Sequence, residues 1–342
     1  MKLSRARASN LRHVAVGAIQ SLVSAKYDAT TLVSGHHLTL ADVDRYCHDA
    51  ESEDIQAMGS TILLRLCEHC LANLPRLEVL ERVVQLLERS HEPSVRRNAR
   101  LCVNHLVLHD DTRQRLMEPG NQVLRRMADE LLEAPENVRT FAELAAMEAA
   151  ECAIVVQLGV LAKLAAVMRL HPSEALENEV AWMVSNVLVD TPESIRAAAD
   201  AGLVAPFVRL LLEERPNRVH INAAYVIKHA LASLKPHEIE HANRLVPIGQ
   251  CILGRLRATD LDNTKLLSPL LSALASLLAP DASFRAALVT PELAHLSADY
   301  IRSQLLPAKI KDPSIAKSCE KLIALQSSLV KIDDNTAPRF VL

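Results

Sequence analysis

Apolar residues recur at three- and four-residue intervals along most of the chain, with short polar breaks between these stretches. This spacing places the apolar side chains on one side of an α-helix. In the clearest example, a long helix predicted over 175–189 is followed by Thr191, which can cap a short helix with Pro192 at its first position. The short helix ends at Gly202, a residue type that accepts the left-handed conformation, and a medium helix is predicted over 203–213. The unit is therefore a long, a short and a medium helix.

This unit recurs with a period of about 40 residues. Asn104, Glu143 and Asn186 occupy the same position in three units, because each precedes a glycine by 16 residues. A single unit cannot bury its apolar side alone, so neighbouring units must stack into one continuous core. The sequence predicts an all-α superhelical solenoid of about five or six three-helix repeats with one concave face. Its long helices are predicted over 55–71, 93–108, 135–147, 175–189, 218–233, 262–278 and 313–330.

Three regions are predicted along the chain. The repeat array covers 55–330, preceded over 1–54 by a basic amino-terminal segment with irregular first helices and followed over 331–342 by a tail without a clear period. The first 27 residues contain lysines, arginines and serines but no acid, a composition typical of a mitochondrial presequence. Residues 11–25 also carry a core-facing apolar stripe. The segment is therefore either a presequence or the first helix of the solenoid.

The composition agrees with a helical protein and narrows its class. Glycine is scarce at 8 residues and aromatics are 3%, so few residues favour strands. Lysine and arginine number 38 against 41 acids, and the net charge of −3 provides no field for nucleic acid. Seven scattered cysteines indicate buried, reduced thiols in the cytoplasm, the nucleus or, alternatively, the mitochondrial matrix. The absence of an apolar run of about 18 residues argues against a membrane-spanning helix.

One line of side chains suits an extended, basic peptide. Trp182, Asn186 and Asp190 are four residues apart, so they lie along one face of the long helix at intervals of about 6 Å. An indole ring can hold the stem or charge of a lysine or arginine, and an asparagine amide can bind peptide backbone. The carboxylate would pair with a basic side chain. Between residues 173 and 200 there are six acids and one arginine, which adds to the negative charge.

The segment that carries this line, EVAWMVSNVLVDTPE at 179–193, resembles the groove-lining third helix of an importin-α repeat. VRRNAR at 95–100 and SIRAAADAGLVAP at 194–206 also resemble armadillo repeats. The resemblance implies an armadillo-type, right-handed solenoid that binds a protein partner through a nuclear-localisation-signal-like segment. No clear importin-β-binding segment accompanies it.

The neighbouring units carry other residues at the two key positions. The tryptophan position is occupied by Arg100, Arg139, Trp182 and Tyr225, and the asparagine position by Asn104, Glu143, Asn186 and His229. Tyr225 partly substitutes for tryptophan, Glu143 can pair with a basic ligand, and Asn104 flanks the site. The two arginines instead favour acidic or mixed partners. The predicted peptide-binding residues are Trp182, Asn186, Asp190, Tyr225, Asn104 and Glu143.

Each central residue also has a structural alternative. Trp182 can pack between stacked helices, Asn186 can hydrogen-bond a neighbouring repeat, and Asp190 can cap the next helix with Glu193 as its capping-box partner. These alternatives stay open at the level of the sequence.

No catalytic or metal-binding motif is present, so no enzyme activity, cofactor or metal is predicted. Cys67 and Cys70 are too isolated to bind zinc, and His237 and His241 are expected on a solvated helix face. The predicted function is a protein-binding adaptor of the cytoplasm or nucleus that holds a basic segment of a partner. The alternatives are a structural scaffold subunit of a larger complex, for which mitochondria are the alternative location, and an armadillo-type chaperone cofactor. The sequence leaves the oligomeric state open.

Overall fold

The structure is a computed structural model that describes residues 13–22, 38–48, 52–170, 172–189, 191–235, 247–278, 291–305, 312–313 and 315–323. The chain divides into two units, Met1–Leu144 and Ala145–Leu342.

The first unit consists of helices, and short turns join those from Glu53 onward. Two 3₁₀ turns, Leu71–Asn73 and Pro135–Asn137, precede α4 and α8. The helices are α1 (His13–Leu22), α2 (Leu40–Cys47), α3 (Glu53–Cys70), α4 (Arg76–Arg89), α5 (Pro93–Leu106), α6 (Asp110–Met117), α7 (Val123–Asp129) and α8 (Val138–Ala145), which ends at the unit boundary.

The second unit is also built from helices. Residues 315–323 are also helical, and a π-helix, Ile301–Leu305, follows α17. The helices are α9 (Ala149–Gln157), α10 (Val160–Arg169), α11 (Glu174–Val187), α12 (Pro192–Asp200), α13 (Val204–Leu210), α14 (Asn217–Ser233), α15 (Ile248–Arg257), α16 (Thr264–Leu277) and α17 (Pro291–Tyr300).

The predicted all-α fold is confirmed, and the part of the chain that the structure describes contains no β-strand. The long helices α3, α5, α8, α11, α14 and α16 each end within a turn of the predicted bounds. The seventh is described only over 315–323 of the predicted 313–330. In the segment expected to be irregular, α2 is a regular helix because Thr39 and Asp42 form a capping box at its start. The predicted tail, 331–342, lies outside the described residues.

The residues predicted to start and end the short helix of the repeat do so in the structure. Thr191 accepts a hydrogen bond from the Ser194 N–H, which caps α12, and Pro192 is its first residue. Gly202 ends the helix at φ +74°, and the Leu203 N–H bonds back to the Ala198 carbonyl at 3.2 Å. These contacts satisfy carbonyls that would otherwise be left open at the end of α12.

Hydrogen bonds between amide side chains set the register of the long helices in the second unit. Asn222 donates to Asn178 at 3.1 Å, which ties α14 to α11. Asn263 donates to Asn217 at 2.9 Å, which ties the start of α16 to the start of α14. The amino-terminal halves therefore lie side by side, so the long helices run in the same direction and equivalent turns are neighbours.

Among the described residues, no single helix has both the length and the apolar character needed to cross a bilayer. The helices α9 and α10 meet these criteria only as a pair, and they are bent by 67° relative to each other.

Candidate peptide-binding face

Trp182 and Asn186 lie on successive turns of α11 and are both half-buried. The opposite side of this helix is fully buried through Val180, Val184 and Val187. Ser173 starts the helix by accepting a hydrogen bond from the Leu176 N–H at 3.4 Å. The burial of the valine stripe thus turns Trp182 and Asn186 toward the partly open face of the helix.

The neighbouring helix α14 brings two aromatic side chains next to this line. The hydrogen bond between Asn222 and Asn178 fixes the register of the two helices. One turn further along, Tyr225 lies beside Trp182. After a second turn, His229 lies beside Asn186. Trp182, Asn186, Tyr225 and His229 therefore form one surface, called here the α11–α14 face. His229 was found at the asparagine position in the sequence but was given no role there.

The aromatic side chains of α14 are already in contact with each other and with a cation. The rings of Tyr225 and His229 are stacked, with centroids 6.0 Å apart and planes at 19°. Lys228 Nζ lies over the Tyr225 ring at 5.2 Å from its centroid, a cation–π contact within the chain. A cation of a ligand would therefore compete with Lys228 at Tyr225.

Asn186 carries an unsatisfied hydrogen-bond donor. Its Nδ2 atom is buried and has no hydrogen-bond partner among the described residues. A buried polar atom of this kind costs about 1–3 kcal/mol unless something accepts its hydrogens. The inter-repeat hydrogen bond that the sequence left open for Asn186 is thus not made by Nδ2. An acceptor from outside the chain would satisfy this donor.

The negative charge of the face is smaller than the sequence suggested. Glu177 is buried and forms a two-pronged ion pair with Arg215, at 2.7 and 3.0 Å. Its charge is therefore neutralised within the chain. Glu179 is half-buried and precedes Trp182 by three residues, so it lies on the same side of α11. Asp190 lies outside the described residues, and the cap of α12 is made by Thr191.

The equivalent positions of the first unit are engaged in contacts within the chain. Asn104 accepts a hydrogen bond from the Thr140 hydroxyl, and Glu143 is buried and ion-paired with Arg139. Arg100 binds Glu130 and Glu136, each at 3.2 Å. Asn104 and Glu143, predicted to flank the site, therefore have structural partners in this unit, whereas Trp182, Asn186 and Tyr225 belong to the second unit.

Solved structures share this arrangement of helices. The designed armadillo repeat protein YIII(Dq)4CqI matches with a TM-score of 0.57 and 19% identity, over 70% of this chain and 100% of its own. A second designed armadillo repeat protein, YIII(Dq.V1)4CPAF in complex with peptide (KR)4, matches with a TM-score of 0.59 and 18% identity, over 72% and 99%. A structure concerned with the interaction between cadherin and beta-catenin matches with a TM-score of 0.71 and 16% identity, over 94% and 59%.

The chain has the armadillo-repeat fold. At these identities, the likeness shows the fold alone. No family model and no curated protein sequence matches the chain. The resemblance to importin-α stays a prediction.

Six of the seven cysteines are buried and Cys319 is partly exposed, and the described residues contain no group of side chains that could hold a metal ion. Cys67 and Cys70 both lie in the buried part of α3, where they pack as small apolar groups. Burial also raises the pKa of the Cys251 thiol to about 11. Such thiols are poor nucleophiles at neutral pH. His237 and His241 lie outside the described residues.

His229 is expected to make the stability of the protein depend on pH. Burial, with a smaller effect of the Lys228 ammonium, lowers its pKa from 6.5 to about 4. Between these two pH values the unfolded chain binds more protons than the folded chain does. The contribution of His229 to the free energy of unfolding is therefore fully present above pH 6.5 and is lost as the pH falls toward 4. His229→Gln should reduce this loss, which urea unfolding of both proteins at about pH 7.5 and about pH 4.5 would measure. An identical pH response in the variant would contradict the role of His229.

Proposed function

We propose that the protein is a non-catalytic adaptor that holds an extended, basic segment of a partner protein on the α11–α14 face. The observation that carries this proposal is the buried Nδ2 of Asn186, which finds no hydrogen-bond partner in the described part of the chain, beside the half-buried ring of Trp182. An extended peptide offers a backbone carbonyl in every residue, which is the acceptor that this donor lacks.

Trp182 and the acids around it account for the preference for a basic side chain. The indole face can bind the aliphatic stem and the charge of a lysine or arginine. Glu179, three residues before Trp182 on α11, contributes a carboxylate on the same side. Asp190, four residues after Asn186 in the sequence, is proposed to add a second carboxylate. At Tyr225 the cation of a ligand would have to displace Lys228.

The designed armadillo repeat protein that was solved with peptide (KR)4 supports the choice of ligand. That protein shares the fold and binds an alternating lysine and arginine peptide. A nuclear localisation signal is a natural segment of this chemistry, and the proposed location is accordingly the cytoplasm and nucleus.

The test is binding of the (KR)4 peptide measured by calorimetry. Trp182→Ala combined with Asp190→Lys should weaken binding by about 30-fold or more, since loss of a central aromatic anchor costs about 2 kcal/mol. Asn186→Leu should weaken it separately, by removing the amide donor. Circular dichroism should show helicity and melting close to those of the wild type.

The matched control is Leu212→Ala combined with Asp200→Lys. Both residues are exposed and lie in the same unit, off the α11–α14 face. This variant removes an apolar side chain and reverses a charge as the first variant does, yet it should bind the peptide within about twofold of wild type. Equal binding by the wild type and the Trp182 variant would refute the proposal.

A structural scaffold subunit is the second candidate. Polar contacts within the first unit favour this role, because the side chains that make them stabilise the unit and have fewer hydrogen-bonding groups left to bind a ligand. These side chains are Arg100, Asn104, Arg139 and Glu143. Mapping the amino terminus of the native protein separates the two functions. A mature chain in the mitochondrial matrix that lacks the basic amino-terminal residues would favour the scaffold and exclude nuclear import.

A further inference from the structure

A second candidate recognition surface lies in the first unit and shares no residue with the proposed peptide site. It is a groove of about 900 Å³ between α4 on one side and α6 with the following turn on the other. The turn contains Gly120 at φ +102°, which lets the chain reverse between α6 and α7. The groove is open to solvent, and all the residues that line it belong to the first unit.

The wall formed by α4 combines apolar side chains with uncompensated acids. Leu77 is 47% exposed although it is a large apolar residue, and the half-buried Val84 continues the apolar surface two turns further along the helix, whereas Leu80 belongs to the buried core. Glu81 and Glu88 are exposed, and neither forms an ion pair with any residue that the structure describes. An exposed apolar strip beside unpaired carboxylates is a feature of binding surfaces more than of ordinary solvated helices.

The opposite wall does not neutralise these acids. Its arginine, Arg115, is ion-paired with Glu118 on the same wall. Asp111 is held by Arg76 through hydrogen bonds of 3.1 Å to both carboxylate oxygens. The net charge that the groove presents to a ligand is therefore negative and is centred on Glu81 and Glu88.

We propose that this groove binds a basic amphipathic helix of a partner protein. The strip from Leu77 to Glu88 covers three helical turns, roughly 16 Å, and a helix with its side chains is about 10–12 Å wide. A groove of about 900 Å³ accommodates one face of such a helix. The backbone groups of the two helices that form the walls are hydrogen-bonded within each helix. These walls therefore offer no strand edge with which an extended chain could pair. The acids repel a phosphate backbone, which excludes nucleic acid.

The spacing of the acids specifies the ligand further. Glu81 and Glu88 are seven residues apart on α4, so their carboxylates are separated by about 10 Å along the helix axis. A bound helix that runs along α4 would match them with two lysines or arginines seven residues apart. An apolar stripe between these cations would cover Leu77 and Val84.

The probe is a fluorescein-labelled, helix-stapled peptide with a leucine stripe and two lysines seven residues apart, and binding is measured by anisotropy. The full-length wild type should bind it saturably. Glu81→Lys combined with Glu88→Lys should weaken binding by at least about tenfold, because two attractive contacts become repulsive. Leu77→Ser should weaken it separately by removing the exposed apolar contact. All three substitutions are at exposed positions, so circular dichroism should show unchanged folding.

Three controls make the result specific. Glu133→Lys combined with Glu214→Lys changes the total charge equally at exposed sites outside the groove, and it should change binding by less than about twofold. Trp182→Ala should leave binding of this peptide unchanged, which separates the groove from the proposed peptide site. A peptide of the same composition without the leucine stripe should not bind.

Several results would overturn the proposal. These are no saturable binding by the wild type, equal binding by the Glu81 and Glu88 variant, an equal loss in the Glu133 and Glu214 control, or binding of the unstriped peptide. A concentration-dependent dimer in sedimentation that the Glu81 and Glu88 substitutions abolish would instead assign the groove to a second copy of the chain.

Discussion

Phe207→Ala should lower the free energy of unfolding by about 3–5 kcal/mol. Phe207 has no exposed surface and lies on α13, which packs against the long helix α14. Removing its ring leaves a cavity in the stacked core. The surrounding helices are fixed by their packing against the next helices in the array, so they cannot move in to fill the cavity without losing those contacts. Urea unfolding followed by circular dichroism measures the change.

The control for this prediction is Leu212→Ala, two residues after the end of α13. Leu212 is 57% exposed, so its truncation should cost less than about 0.5 kcal/mol. A cost below about 1 kcal/mol for Phe207→Ala, or equal costs for the two variants, would show that α13 is not packed as described.

Arg215→Ala should destabilise the second unit by about 2–3 kcal/mol. The side chain of Glu177 is only 4% exposed, and Arg215 supplies two hydrogen bonds to its carboxylate. Without the guanidinium the carboxylate is left buried without a charge partner. The expected loss is below that of a fully buried pair because Arg215 is itself 25% exposed. Urea unfolding again provides the measurement.

The matched control is Arg115→Ala, because Arg115 and Glu118 form an ion pair with both side chains about half exposed. An exposed pair of this kind contributes little, so the variant should lose less than about 0.5 kcal/mol. A double variant, Arg215→Ala with Glu177→Ala, should be less destabilised than the sum of the two single variants. Additive losses would contradict a direct pairing.

The fold could be predicted because its signals are local. Thr191 and Pro192 start α12, and Gly202 ends it, through contacts with residues only a few positions away in the chain. The apolar stripe of each helix then identifies the side that must be buried. The position of Trp182 and Asn186 on one face of α11 follows from the helical period in the same way.

The contacts between repeats could not be predicted from spacing alone. Arg215 reaches Glu177 across 38 residues, and Thr140 reaches Asn104 across 36. Which side chains meet at that separation depends on the angle and offset of stacking, which the apolar pattern does not specify. For the same reason, the burial of Glu143 and the position of Lys228 over Tyr225 emerge only from the structure.

The central claim is that an extended basic peptide binds beside Trp182, and Trp182 is the chain's single tryptophan. Its intrinsic fluorescence therefore reports on the proposed site without a label. Titration of the wild type with the (KR)4 peptide should change the emission saturably, with the same Kd that calorimetry gives, whereas a peptide of glutamates should leave it unchanged. Saturation of binding by calorimetry without any change in tryptophan emission would place the peptide elsewhere and contradict the account.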